Sequence, residues 1–199
     1  MKRLIPLIFC ALLLLSSCGE TDDGKTDIVA TMFPQYCFAK EIAGDRANVE
    51  MLLDFGVDAH SYEPTPADII KISKADLFIY TGNEMELWAK TVLESADIKK
   101  AIDSGSLCVL DLSEHAELLC FGHEHGEHHE HEHEEYDTHI WTSVENGEKM
   151  CEAITNALCE IDQDGASLYT ANFENSKNKF SEISSKVAEV MTSATHDTV

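Results

Sequence analysis

The run Ile28-Val29-Ala30-Thr31-Met32 is almost wholly apolar and passes straight into Phe33-Pro34. That pattern predicts a short buried strand followed by a helix through about Ile42, ended by Gly44. Val49 to Leu53 reads as a second strand, and Asp54 to Pro66 as a turn-rich loop. Thr65-Pro66-Ala67-Asp68 then has the grammar of a helix start: a capping threonine, a proline at the first helical position and an acid at the third. That helix carries Ile69, Ile70 and Ile72 and ends near Lys74. Asp76 to Tyr80 reads as a third strand, Glu84 to Ser95 as a helix and Leu107 to Leu112 as a fourth strand. Strands alternating with helices predict an α/β domain built on a mainly parallel sheet. Beyond a polar stretch, Val144 to Ile161 and about Ala166 to Thr192 read as two further helices. In the second, Tyr169, Phe173, Phe180, Ile183, Val187 and Val190 fall on one apolar stripe. A helix of that length runs roughly 40 Å, the span of a whole domain.

The first residues change the picture from a fold to an address. Lys2-Arg3 precede Leu4 to Leu15, apolar apart from Pro6 and Cys10. Such a run is shorter than the roughly 20 residues that span a bilayer and suits the core of a signal peptide over residues 1–17. Leu15-Ser16-Ser17-Cys18-Gly19 resembles the bacterial lipobox, which implies a lipid on Cys18 and an anchor to the cell membrane. Residues 18–26 are then expected to form a polar, acidic tether, and residues 27–161 the folded lobe. Of seven cysteines, five remain after Cys10 and Cys18: Cys37, Cys108, Cys120, Cys151 and Cys159. None has the close pairing of a structural zinc knuckle, and none is assigned a function.

Charge and histidine content narrow the chemistry. The 199 residues carry a formal net charge of −23, which disfavours nucleic acid and anionic headgroups as partners and favours cations. His123, His125, His128, His129, His131 and His133 place six histidines in eleven residues, interleaved with glutamates, within a polar loop over 122–135. Its composition cannot form a core, so it reads as an exposed loop that binds several metal ions weakly. Imidazole suits zinc, copper and nickel, whereas manganese prefers oxygen ligands, so Zn2+ is expected ahead of Mn2+.

Two isolated histidines stand in more structured surroundings, His60 after the second strand and His139 just before a helix. Ligands in parallel α/β sheets bind at loops beyond the carboxyl ends of strands, so these two, each with an acid two residues ahead, could meet at one site. Gly56-Val57-Asp58-Ala59-His60-Ser61-Tyr62-Glu63-Pro64 and Asp137-Thr138-His139-Ile140-Trp141 resemble the two histidine motifs of metal-binding solute receptors of bacterial ABC transporters, the zinc and manganese cluster. Ala59 and Thr138 stand where that family commonly has proline. Met32-Phe33-Pro34, Ile42-Ala43-Gly44-Asp45, Gly82-Asn83-Glu84 and Glu86-x-Trp88 also resemble it, and a histidine-rich loop is similar to its zinc-type members.

The resemblance implies the parallel-sheet N-terminal lobe of a two-lobe solute-binding protein, followed by a long connecting helix over 165–195. It implies metal ligation by His60 and His139, with further ligands from a C-terminal lobe that this chain does not carry. The function it implies is extracytoplasmic zinc capture by a monomeric, lipid-anchored receptor. Delivery would be to an ABC permease, without enzymatic turnover. The alternatives are a surface zinc buffer or adhesin using the loop alone and, further off, a zinc hydrolase, for which no His-Glu-x-x-His helix is present.

Overall fold

A computed structural model describes residues 23–82, 84–120 and 136–193. The leader, Cys18, the first part of the tether and the six loop histidines lie outside the described residues.

Four strands, β1 (Thr26–Ala30), β2 (Ala47–Met51), β3 (Leu77–Tyr80) and β4 (Cys108–Asp111), pair in parallel in the order β2-β1-β3-β4. Helix α1 (Phe33–Ala43) connects β1 to β2, and α2 (Pro66–Lys74) leads into β3. Two short helices, α3 (Leu87–Leu93) and α4 (Ala96–Ser104), precede β4. Two long ones, α5 (Val144–Ile161) and α6 (Ala166–Ser193), end the described chain.

Side-chain alternation along the strands divides the interior into two cores. Ile28, Ala30, Leu77 and Ile79 face α1, α5 and α6, where Ile42, Met150, Ile154, Leu158 and Tyr169 are buried against them. Val29 and Phe78 face the opposite way, onto Ile72 of α2, Val92 of α3 and Ile98 and Ala101 of α4. The result is three layers, the arrangement that covers both faces of a parallel sheet.

The helix-start grammar at Thr65 is realised as expected. Thr65 accepts from the Asp68 N–H, the Asp68 carboxylate accepts from the Thr65 N–H, and Pro66 opens α2. Gly44 closes α1 with φ 58°, a left-handed value glycine tolerates without strain. Two expectations are corrected. Strands β1 and β2 begin two residues ahead of the apolar runs that marked them, because Thr26 and Asp27 are polar and Asn48 separates Ala47 from its run, yet all four pair in the ladder, Thr26 with Ala47 and Asp27 with Asn48. The single helix over Glu84 to Ser95 is replaced by a turn through Glu86, then α3, a break at Glu94–Ser95, and a separate helix α4 ended by Gly105 at φ 74°.

Asp162, at the corner between α5 and α6, accepts from Arg46 Nε and Nη2 at 2.8 and 2.9 Å and from the Tyr169 hydroxyl at 2.6 Å. The tyrosine and then the guanidinium hold its carboxyl below the usual range. The apolar stripe of α6 is covered over its first half only. Tyr169 and Phe173 are buried, whereas Ile183, Val187 and Val190 are exposed. The five described cysteines are free thiols, and burial in α5 pushes the Cys151 thiol up to about 12. Among the described residues no helix is long and apolar enough to cross a membrane.

Candidate metal site

The strand order reverses between β1 and β3, so the carboxyl edge of the sheet opens into a crevice where α/β proteins bind ligands. Loops leave from this edge after every strand. Leu52 and Leu53, just past β2, donate their N–H groups to Ala30 and Thr31, and the loop that follows presents His60. His139 arrives from the connection between β4 and α5, one residue before a single 3-10 turn (Ile140–Thr142).

The two imidazoles meet. Their ring centroids lie 5.8 Å apart with planes at 68°, an edge-to-face approach that a single bound ion can bridge. Both side chains are exposed, so the site faces solvent on the open side of the crevice. Beneath them Trp141 packs against both cores, and its ring lies 5.4 Å from His139. Among the described residues no group of three or more histidines, cysteines and acids stands close enough to hold a metal. Two imidazoles would fill two positions of a four-coordinate zinc shell.

The two acids that precede the histidines do not join them as ligands. Asp58 accepts the His60 backbone N–H at 3.1 Å and the Ser61 hydroxyl at 3.0 Å. Asp137 accepts the His139 backbone N–H at 2.9 Å and its ring Nδ1 at 2.9 Å. Each is the carboxylate of a tight local turn, and these bonds, the backbone one first, hold both carboxyls below the usual range. The ring bond fixes the His139 tautomer with the proton on Nδ1, which leaves Nε2 as its free lone pair for a metal. Asp137→Ala is accordingly expected to weaken zinc binding at the pair about tenfold. Competition with a chelating dye measures this, and an unchanged affinity would show that neither the Asp137 turn bond nor its ring bond is needed to orient the imidazole.

Two tryptophans and a buried acid, to which sequence reasoning gave no role, support the site. Trp88 Nε1 donates to the Ala59 carbonyl at 3.3 Å, and its ring meets Tyr62 edge-on at 5.4 Å. Tyr62 donates to Asp68 at 2.8 Å, and desolvation followed by that carboxylate pushes its hydroxyl up to about 12. Glu86, only 4% exposed, draws together the ends of β1 and β3. Its carboxylate accepts from Thr31 Oγ1 at 2.6 Å, Thr81 Oγ1 at 2.9 Å, and the N–H groups of Thr81 and Gly82 at 3.1 and 3.2 Å. The sequence signals for these roles were the two histidine motifs, which contain Tyr62 and Trp141, and the Glu86-x-Trp88 motif.

Residues 28–199 match the family model described as "Zinc-uptake complex component A periplasmic". The chain belongs to this zinc-uptake component family. The zinc-binding lipoprotein AdcA of Streptococcus pneumoniae is 37% identical over 164 residues, covering 79% of this chain and 32% of that protein. The high-affinity zinc uptake system protein ZnuA of Bacillus subtilis is 33% identical over 181 residues, covering 83% of this chain and 54% of that protein. Among solved structures, the Zn(II)-bound ZnuA-like domain of Streptococcus pneumoniae AdcA superposes with a TM-score of 0.69 at 30% identity, over 83% of this chain and 55% of that one. This member of the zinc-uptake family thus spans from about a third to about half the length of these relatives. The α/β fold with a parallel four-stranded sheet and a long final helix agrees with the family's solved structures.

Proposed function

We propose that this chain is the first metal-binding lobe of an extracytoplasmic zinc receptor. It takes up Zn2+ as cargo between His60 and His139 and presents it to an ABC-type permease without chemical turnover. The observation that carries the reading is the convergence of these two imidazoles, from separate loops, at the crevice edge of a parallel sheet. Two neutral nitrogen ligands favour zinc over manganese, and the named relatives are zinc-binding and zinc-uptake proteins. A second lobe would supply the remaining ligands and cover the exposed end of the α6 stripe. Residues 1–17 act as leader and Cys18 as lipid anchor, with residues 18–26 as tether, in keeping with the lipoprotein naming of a relative. His123, His125, His128, His129, His131 and His133 form a weaker reservoir.

The test separates pair from loop. His60→Gln with His139→Gln, loop intact, is expected to weaken the tightest zinc site about a hundredfold, a little under 3 kcal/mol. Deleting residues 123–133 is expected to lower the number of zinc ions bound and leave that tightest site in place. Isothermal titration against a competing chelator reads both. The opposite result, with the tight site lost on loop deletion and kept in the double variant, would establish a zinc buffer instead.

A further inference from the structure

The loop that carries His60 has little to hold it. Among the described residues its hydrogen bonds between Asp54 and Ser61 are internal, from Val57 N–H to Asp54 and from His60 and Ser61 to Asp58, with one exception. The exception is Trp88, whose indole N–H donates to the Ala59 carbonyl. That carbonyl belongs to the same planar peptide unit as the His60 N–H, which Asp58 accepts. One rigid plane is therefore fastened at both ends, by a local carboxylate on one side and by the fold on the other.

Trp88 is suited to that task. It stands on α3 two residues beyond Glu86, the carboxylate that fastens the start of this helix to the ends of β1 and β3. Its ring packs against the core that contains Phe78, Ile98 and the buried Ala59 methyl. Its edge meets Tyr62, two residues beyond His60, which is itself tied to the cap of α2 through Asp68. The residues on both sides of His60 are thus referred to one indole.

We propose that Trp88 is a positioning residue for zinc binding: its N–H, by holding the Ala59–His60 peptide, sets the direction from which the His60 imidazole faces His139. The inference rests on the reading of His60 and His139 as the zinc ligands. Trp88→Phe keeps an aromatic ring against Tyr62 and removes the donor. Replacement of Trp88 by benzothienylalanine, which puts sulfur in place of N–H, removes it without changing the bicycle. Ile98→Val, a truncation on α4 in the same core, serves as a control for simple loss of packing.

The readout is the imidazole C–H resonances of His60 and His139 in the full chain, assigned by His60→Gln and His139→Gln and followed through a zinc titration. Both Trp88 replacements are expected to weaken the zinc response at His60 about fivefold, the worth of one hydrogen bond, with Ile98→Val overlaying the parent. A response unchanged by loss of the N–H would overturn the positioning role. So would a weakening that Ile98→Val reproduces. Failure of the underlying reading looks different: in the parent chain itself, neither resonance would respond until the loop histidines had saturated.

Discussion

Replacing Glu86 by alanine is expected to destabilise the fold by about 3–5 kcal/mol, a large part of the roughly 5–15 kcal/mol that holds a domain of this size together. The carboxylate is almost fully buried and accepts from two threonine hydroxyls and two backbone N–H groups. Alanine would remove the acceptor and leave these donors unpaired around the space it vacates, the costly case of an unmade buried bond. Urea unfolding followed by far-UV circular dichroism measures the loss. A cost below about 1 kcal/mol would mean that water replaces the carboxylate freely. Glu86→Gln adds a pH signature. Burial raises the Glu86 carboxyl above its ordinary 4.5, outweighing the donors that favour the ion. A folded-state value above the unfolded one means that the protonated form is the one folding favours. That contribution is complete below pH 4.5 and is lost as pH rises through the folded-state value. The parent should therefore lose stability relative to Glu86→Gln on going from pH 4.5 to neutral, and a difference that grows in its favour would contradict the sign.

What the sequence disclosed and what it concealed divide along the range of the interactions involved. The α2 cap lay open because Thr65, Pro66 and Asp68 make their bonds within one turn. Helix α6 was legible from its apolar stripe, although only the first half of that stripe is buried, and α1 from Pro34 at its start and Gly44 at its end. Helix α4 was passed over although Ile98, Ala101 and Ile102 stand at helical spacing, because it is only nine residues long and follows α3 after no more than the break at Glu94–Ser95. The turn before α3 was hidden for a different reason. Helical propensity favours Glu84 and Glu86, but the site of the Glu86 carboxylate lies at the strand ends, and reaching it puts Glu84 at φ 69°. In the candidate metal site, His60 and His139 stood out through their motifs, and the structure brings the two rings together. The roles of their neighbours could not. Asp58 and Asp137 have the right chemistry for ligands, and only coordinates show them spent on the histidines' own N–H groups. The bond from Trp88 to Ala59 joins residues 29 apart, which no local pattern encodes.

Gly82→Ala is expected to cost about 2–5 kcal/mol, through two effects that can be separated. Gly82 follows β3 at φ 79°, where a side chain adds about 1–2 kcal/mol of backbone strain. A Cβ there would also lie 1.9 Å from Asp111 Oδ1 and 2.5 Å from Ser113 Oγ. Asp111 cannot simply turn aside, because the same oxygen accepts from the Ser113 N–H at 2.9 Å and its hydroxyl at 2.6 Å. Nor can Gly82 retreat without lengthening its own bond to Glu86. Overpacking of this kind adds about 1–3 kcal/mol. Gly56 provides the comparison, with φ 85° and nothing within 4 Å of an added Cβ, so Gly56→Ala should show the strain alone. In an Asp111→Ala background the nearer contact is gone and the Ser113 hydroxyl, no longer held by Asp111, is free to turn away, so Gly82→Ala should fall to nearly the Gly56→Ala cost, a coupling that a double-mutant cycle in urea reads directly. Equal costs for Gly82→Ala with and without Asp111 would show that the ends of β3 and β4 yield. The crevice would then be a softer frame for His60 and His139 than the contacts at Glu86 imply.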